Sequence, residues 1–329
     1  MLVIILVSVS ILALILFANI TVDVVLSVKR KEHYKKSELV LSYGLLIPAV
    51  VLAFFFVLLP IIMSLGYAFT NANMTNINNA VFNDFANFKR IFRELFDTNS
   101  KLHISIRNTA LFVVLVVPLQ IGLALALALF CNNKKRGTTI FKVCFFTPVA
   151  VSLSVTCFLW AELLSPSSTG LMNSILGLFG VDPQYFLQDE KTAIPWMVIM
   201  SAWQGCGYQM LIFLSALGNI RKDLYEAASI DGASKFKQFF DITLPGLKPT
   251  LLYILITVFI GACRVMIQPM ILAKNFDGGL TLSLYMYEQG FYLQGPALGY
   301  SCAIALLFSI FIGTITLLQR RFLGERRKK

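Results

Sequence analysis

The sequence predicts an all-α polytopic membrane protein, and three observations carry that expectation. Of 329 residues, 57% are apolar and 14% are charged, whereas a soluble domain carries about 25% charged residues. The charges are also unevenly placed. They are absent from residues 2–22, 39–83, 108–133, 143–161, 192–220 and 289–319, and residues 249–273 carry only Arg264. Crossing a bilayer takes about 20 apolar residues, and a charge facing lipid costs several kcal/mol or more. Finally, the basic residues alternate from loop to loop, as they do in multi-pass proteins.

These runs predict seven helices, over 2–27, 43–69, 108–131, 141–164, 193–217, 249–273 and 297–319. The first could instead be a secretory signal. No basic residue precedes its apolar run and no A-x-A site closes it, so a retained helix is expected. The segment 70–107 begins with Asn71, Asn73, Asn76, Asn78 and Asn79, then places Phe85, Phe88, Ile91 and Phe92 at helical spacing. That pattern suits a short interfacial helix, lying on the membrane or docking a partner. Residues 165–192 hold the turn signals Ser165-Pro166, Gly170, Gly180 and Asp182-Pro183, and 274–296 hold Asp277-Gly278-Gly279 and Gly295-Pro296. Three regions follow. Residues 1–38 form an extra N-terminal helix and basic linker, 39–323 one membrane domain with a loop at 221–249, and 324–329 a basic tail.

The net charge is +11. In a soluble protein that would raise nucleic-acid binding, but here position decides. The segment after the first helix, the loops 132–142 and 221–249, and the C-terminal end hold 20 of the 28 basic residues. Lys and Arg favour the cytoplasmic side, so the N-terminus is expected outside and the C-terminus in the cytoplasm. Five basic residues in the long segment 71–107 run against this pattern. The six cysteines form no CxxC and are expected as small packing residues. His33 and His103 lie in loops. No metal site, cofactor or catalytic set is expected. No G-x4-GK[ST] motif occurs, so the chain is expected to have no ATPase site of its own.

The loop 221–249 reads RKDLYEAASIDGASKFKQFFDITLPGLKP. Asp223 and Glu226 early in a helix over 223–231 suit its dipole. Gly232 is a natural break that can take positive φ. A second short helix, 233–240, aligns Phe236, Phe239 and Phe240 on one face. Pro245 is expected to end this local structure and Pro249 to open the next membrane helix. Two short helices on the basic side make either a compact knob or an amphipathic hairpin on the membrane surface. The small residues Ala227, Ala228, Ser229 and Ala233 would let a partner approach a knob closely, and Glu226 offers a carboxylate to a cation or to a cap within the knob.

Glu226-Ala227-Ala228, three residues, Gly232, nine residues, then Ile242-x-Leu244-Pro245 resembles the EAA motif of binding-protein-dependent ABC importer permeases. The context from Leu217 to Ala233 is similar to the carbohydrate branch, of the MalF type. Leu59-Pro60, Phe69-Thr70-Asn71, Asn108-Thr109, Pro148, Trp160, Gly170, Asn173, Thr281, Tyr285, Tyr287, Phe291 and Gly299-Tyr300-x2-Ala303 extend the likeness across 40–319. The chain departs near the close of its sixth helix, where Arg264-Val-Met-Ile-Gln268 replaces a Phe-rich run. The resemblance implies a MetI-like ABC importer transmembrane domain, six core helices plus one N-terminal helix, in the cell (inner) membrane. It implies four kinds of partner besides lipid: a second homologous permease subunit, a cytoplasmic ABC ATPase dimer, an extracytoplasmic solute-binding protein and a carbohydrate substrate. The motif residues would seat in a cleft on the ATPase and move with it as a lever.

Arg264 lies about nine residues from the outer end of its expected helix, or ~14 Å at 1.5 Å per residue. At that depth it should face the bundle or water. Gln268 follows at i+4, and on the preceding helix Trp203, Gln204 and Tyr208 fall at comparable depth. Rings that stack on pyranose C–H faces, with amide and guanidinium donors for hydroxyls, suit a sugar pathway. Helix packing for Trp203 and Tyr208, and a structural hydrogen bond for Arg264, remain alternatives. A permease for a non-carbohydrate solute, such as a sugar phosphate or polyol, is the second reading. An ion-coupled transporter would need paired ionisable residues near the midplane, and a membrane enzyme a clustered nucleophile, base or metal set. The expected spans hold neither.

Overall fold

A computed structural model describes residues 46–132, 137–167, 170–273, 276–292 and 297–323. The expected helix 2–27, its basic linker and the tail 324–329 lie outside the described residues. In chain order the helices are α1 (Leu46–Tyr67), α2 (Ala86–Phe96), α3 (Lys101–Asn132), α4 (Thr138–Ala150), α5 (Leu153–Leu163) and α6 (Leu171–Gly177). There follow α7 (Ala193–Gly218), α8 (Lys222–Ile230), α9 (Leu244–Cys263), α10 (Ile267–Leu272), α11 (Leu282–Tyr287) and α12 (Leu298–Leu323). Among the described residues five helices are long and apolar enough to cross a membrane, and six if α4 and α5 count as one bent span. That matches the six core spans expected from the charge-free runs.

The chain divides into two compact units. One takes the described residues of 1–90 and 288–307. Its Asn-rich segment is a hydrogen-bonded turn system in which side chains replace missing backbone partners. Asn73 Oδ1 accepts from the backbone of Thr75 and Asn76, and Asn71 Oδ1 accepts from Val81 N. Asn83 and Asn87 both donate to the Thr70 carbonyl, at 3.0 and 2.9 Å. Phe85, expected on the interfacial helix, instead precedes it at φ 61° and packs edge-on against Phe69 and Phe82.

The second unit takes the described residues of 91–287 and 308–329. Here α3 and α7 pack along one another. Small residues at their contact, Ala124, Ala128 and Cys206, are fully buried and let the axes approach. On α7 a Cβ at Gly205 would run into the Gln120 carboxamide and one at Gly207 into the Phe145 carbonyl, so α3 and α4 both lie against bare backbone. Two apolar clusters result. One joins Phe112, Val116, Cys157, Ile194, Met197 and Leu272, the other Cys131, Met210, Phe213, Leu247 and Ile254.

Three expected helices differ from their sequence reading. The span 141–164 is two helices meeting at 99°. Val151 and Ser152 are extended at the corner, where Ser152 O starts α5 by accepting from Thr156 N. An apolar run cannot reveal such a corner, because both arms are apolar. Helix α3 begins at Lys101 rather than 108, which puts Asn108 and Thr109 inside it.

The third correction falls on 249–273. Pro245 does not end the loop structure and Pro249 does not open a helix; both lie within α9. The expected short helix 233–240 is the leading end of the same rod: a turn at Lys235–Gln238, a π turn at Phe239–Thr243, then α9. Leu244 N reaches back five residues to Phe239 O. Loosening the turn before Pro245 accommodates a ring that would otherwise crowd the carbonyl four residues earlier. The same device precedes Pro60, where Leu59 N bonds Phe54 O across the π turn Phe54–Leu58. At its far end α9 stops at Arg264, and α10 resumes after a three-residue break.

Candidate coupling loop and solute cavity

The loop that carries the sequence motif is closed by a Schellman-type cap. Helix α8 ends at Ile230, Gly232 N donates to Ser229 O at 3.1 Å, and Ala233 N donates to Ala228 O at 2.9 Å. This pattern requires a left-handed residue between the two bonds, and Gly232 supplies it at φ 75°. The second alanine of the motif therefore provides the carbonyl that the cap closes on. Ser234 Oγ then accepts from Lys237 N and starts the next helix. Gln238 Nε2 ties the two arms, donating to Ser229 Oγ at 3.0 Å and Ala233 O at 3.1 Å. Tyr225 OH meets Thr243 Oγ1 at 2.9 Å. Arg221 pairs with Asp223 on the exposed start of α8.

Glu226 and Ala227 are exposed, Ala228 is half-buried, and a Cβ on Gly232 would meet nothing within 4 Å among the described residues. Glu226 bonds to nothing among the described residues, so it is not a cap within the loop. Ile230 and Phe236 are among the most exposed apolar side chains of the loop, at 87% and 75%. Ile242 and Leu244 are half-buried at the start of the rod, and Pro245 is exposed.

A cavity of about 350 Å³ opens between α3, α4, α5, α7, α9 and α10. That is within the ~300–1,000 Å³ usual for small-molecule sites. Its polar lining is Gln120, Ser201, Gln204, Gln209, Thr257 and Gln268, and its apolar wall includes Phe112, Val116, Val149 and Val258. Gln204 Nε2 lies 3.4 Å from Thr156 Oγ1. The Oε1 of Gln209 is buried with no hydrogen-bond partner among the described residues. Four carboxamides and two hydroxyls can each donate and accept, which suits hydroxyl groups from any direction.

The expected pathway residues separate. Gln204 and Gln268 meet in this cavity. Trp203 is 40% exposed and packs against Trp160 at 5.9 Å between ring centroids. Tyr208 lines a second, more open cavity with Phe146, Asn219 and Thr250. Arg264 is exposed and outside the lining, while Gln268 is buried, so the break between α9 and α10 places the expected i, i+4 pair on different surroundings. Gln120 and Gln209 were not foreseen. Gln120 stands mid-span on α3, and its placement across Gly205 is a tertiary fact with no local signal.

The break is held by side chains from the segment before and within α11. Thr281 Oγ1 donates to Val265 O at 2.8 Å and Ser283 Oγ to Cys263 O at 3.2 Å, satisfying carbonyls that the interrupted helix leaves open. Buried Asn108 lies 3.1 Å from each of the Asp277, Gly278 and Leu280 carbonyls, sharing two N–H groups among them. Thr109 Oγ1 accepts from Leu282 N at 2.8 Å. In the 165–192 segment Asn173 plays the same part, donating to Ser165 O and Gln184 O and accepting from Gln184 N.

Comparison with known proteins places these features. Residues 120–324 match the family described as binding-protein-dependent transport system inner membrane component. The arabinooligosaccharides transport system permease protein AraP of Bacillus subtilis is 35% identical over 231 residues, 69% of this chain and 73% of that protein. The probable ABC transporter permease protein YesP of the same organism is 31% identical over 299 residues, 89% and 93% of the two chains. The trehalose/maltose transport system permease protein MalF of Thermococcus litoralis is 31% identical over 283 residues, 86% and 93%. A chain of a crystallised bacterial ABC transporter for the acidic polysaccharide alginate shares the fold, with a TM-score of 0.74 at 24% identity over 88% of this chain and 96% of that one. The capped loop, the six apolar spans and the family match agree: this chain belongs to the binding-protein-dependent transport system inner membrane components, the membrane-spanning permeases of ABC transporters.

Proposed function

We propose that the chain is a permease subunit of an ABC importer that translocates a sugar or oligosaccharide delivered by an extracytoplasmic binding protein. It would pair with a second, homologous permease and stand on a cytoplasmic ATPase dimer that performs all ATP hydrolysis. Its C-terminus would lie in the cytoplasm, on the side favoured by its basic loops. Relatives named for arabinooligosaccharides and for trehalose and maltose support the solute class.

The observation that carries the mechanism is continuity. The Glu226-Ala227-Ala228 face, exposed at its first two residues, is joined through Gly232 to one helical rod, and that rod presents Thr257, Val258, Gly261 and Ala262 to the cavity. From Lys235 to Gly261 the rod is ~39 Å long at 1.5 Å per residue. A push on Gly232 and the helix after it is therefore delivered to the cavity wall along one helical segment. Ile242, Leu244 and Pro245 form the neck of that rod. Trp203, Gln204, Tyr208, Arg264 and Gln268 remain the proposed pathway set, with Gln204 and Gln268 in the cavity.

Gly232 separates the parts of this reading. Gly232→Ala tests the backbone alone, since its Cβ meets nothing; forcing an L-residue to positive φ costs ~1–2 kcal/mol. Gly232→Leu adds bulk to the outer surface. In the complete importer in proteoliposomes, Gly232→Leu should insert normally yet lose most solute-stimulated ATP hydrolysis and uptake, and Gly232→Ala should lose less. Full uptake by Gly232→Leu would remove the lever.

A further inference from the structure

We propose that the cavity selects by charge: it admits neutral, hydroxyl-rich saccharides and turns away uronates and phosphorylated sugars, with Gln209 as a specificity-determining contact. This deepens the importer reading and rests on it. Every polar side chain in the lining is uncharged, and no Lys or Arg among the described residues stands in it. An anion entering such a site gives up its hydration and meets no cation to replace it, which is strongly unfavourable. A sugar hydroxyl loses far less, because each carboxamide can both give and take a hydrogen bond.

Gln209 sharpens the choice. The residue lines the cavity and its Oε1 is buried without a partner among the described residues, so turning the carboxamide toward a solute would satisfy an acceptor still in need of a donor. A hydroxyl brings that donor. A carboxylate or phosphate dianion brings only further acceptors. Arg264, the cation of the same span, is exposed and stands outside the lining, so it does not neutralise a solute held there. The fold is shared with a transporter of an acidic polysaccharide, and the inference therefore separates this chain from a solute class its architecture accommodates.

The test is equilibrium binding by calorimetry to the complex of this chain with its partner permease and ATPase, in nanodiscs. The binding protein is left out so that its own selectivity does not intervene. The probes are arabinotetraose, maltotetraose and xylotetraose against tetragalacturonate. At least one neutral probe should bind tenfold or more tightly than tetragalacturonate. Gln209→Leu should weaken that probe at least tenfold, Gln209→Asn should recover part of it, and Gln209→Lys should shift preference toward tetragalacturonate. Tetragalacturonate binding as tightly as every neutral probe would overturn the inference and leave the carbohydrate importer standing. So would unchanged affinity in whichever of Gln209→Leu and Gln209→Lys assembles with the ATPase. Binding of no probe of either kind would overturn the carbohydrate reading itself, and this inference with it.

Discussion

Asn108 shows how much one carboxamide can hold. Its two N–H groups serve three backbone carbonyls from Asp277 to Leu280, in a segment whose own secondary structure is a single 3-10 turn. Leaving buried carbonyls without a donor costs about 1–3 kcal/mol. Asn108→Ala should therefore lower the melting temperature of the purified complex and speed proteolysis within 276–282. Asn108→Asp should fare no better, because a carboxylate would face three carbonyls and give them nothing. An unchanged melting temperature and cleavage rate in Asn108→Ala would show that the segment is held by packing alone. The Asn-rich stretch at 71–87 teaches the same lesson at lower burial: a run that reads as loop-like polarity is a set of specific backbone partners.

At the scale of elements, the interruptions are the informative features. The break after α9 survives because Thr281 and Ser283 answer the carbonyls it exposes. Thr281→Val keeps the shape and removes the donor. It should loosen the break, so that Cys263, buried in the native protein, reacts faster with a membrane-permeant maleimide. Equal labelling rates would mean the hydroxyl is dispensable. Such interruptions mark the limit of what the sequence disclosed. Six spans, the motif loop and its Gly232 break were legible, because they are set by charge, apolar run length and one residue that tolerates positive φ. The corner between α4 and α5 was not, since Val151 and Ser152 are as apolar or small as their neighbours. Pro245 and Pro249 misled, because the helix runs through both, and a π turn just upstream makes room for the first. In the cavity, Gln204 and Gln268 were found from spacing, while Gln120 and Gln209 join them only through packing.

At the scale of the molecule, a permease must present polar groups inside and apolar ones to lipid. Arg264 breaks that division, being exposed on this chain yet part of a membrane-spanning segment. A guanidinium there is costly against lipid, so in the assembled importer it would face the partner permease or the water-filled path. Arg264→Ala should change the transport rate or solute preference in proteoliposomes. If neither moves, Arg264 is structural. The unbroken rod from Lys235 through Cys263 also fixes more than distance. Because loop and cavity wall share one axis, their azimuth is set by residue count, at ~100° for each residue. If the loop is moved by an ATPase as proposed, the wider turn at Phe239–Thr243 would act as a vernier: one residue more or fewer there would leave both ends folded but aim the motor's stroke at a different wall.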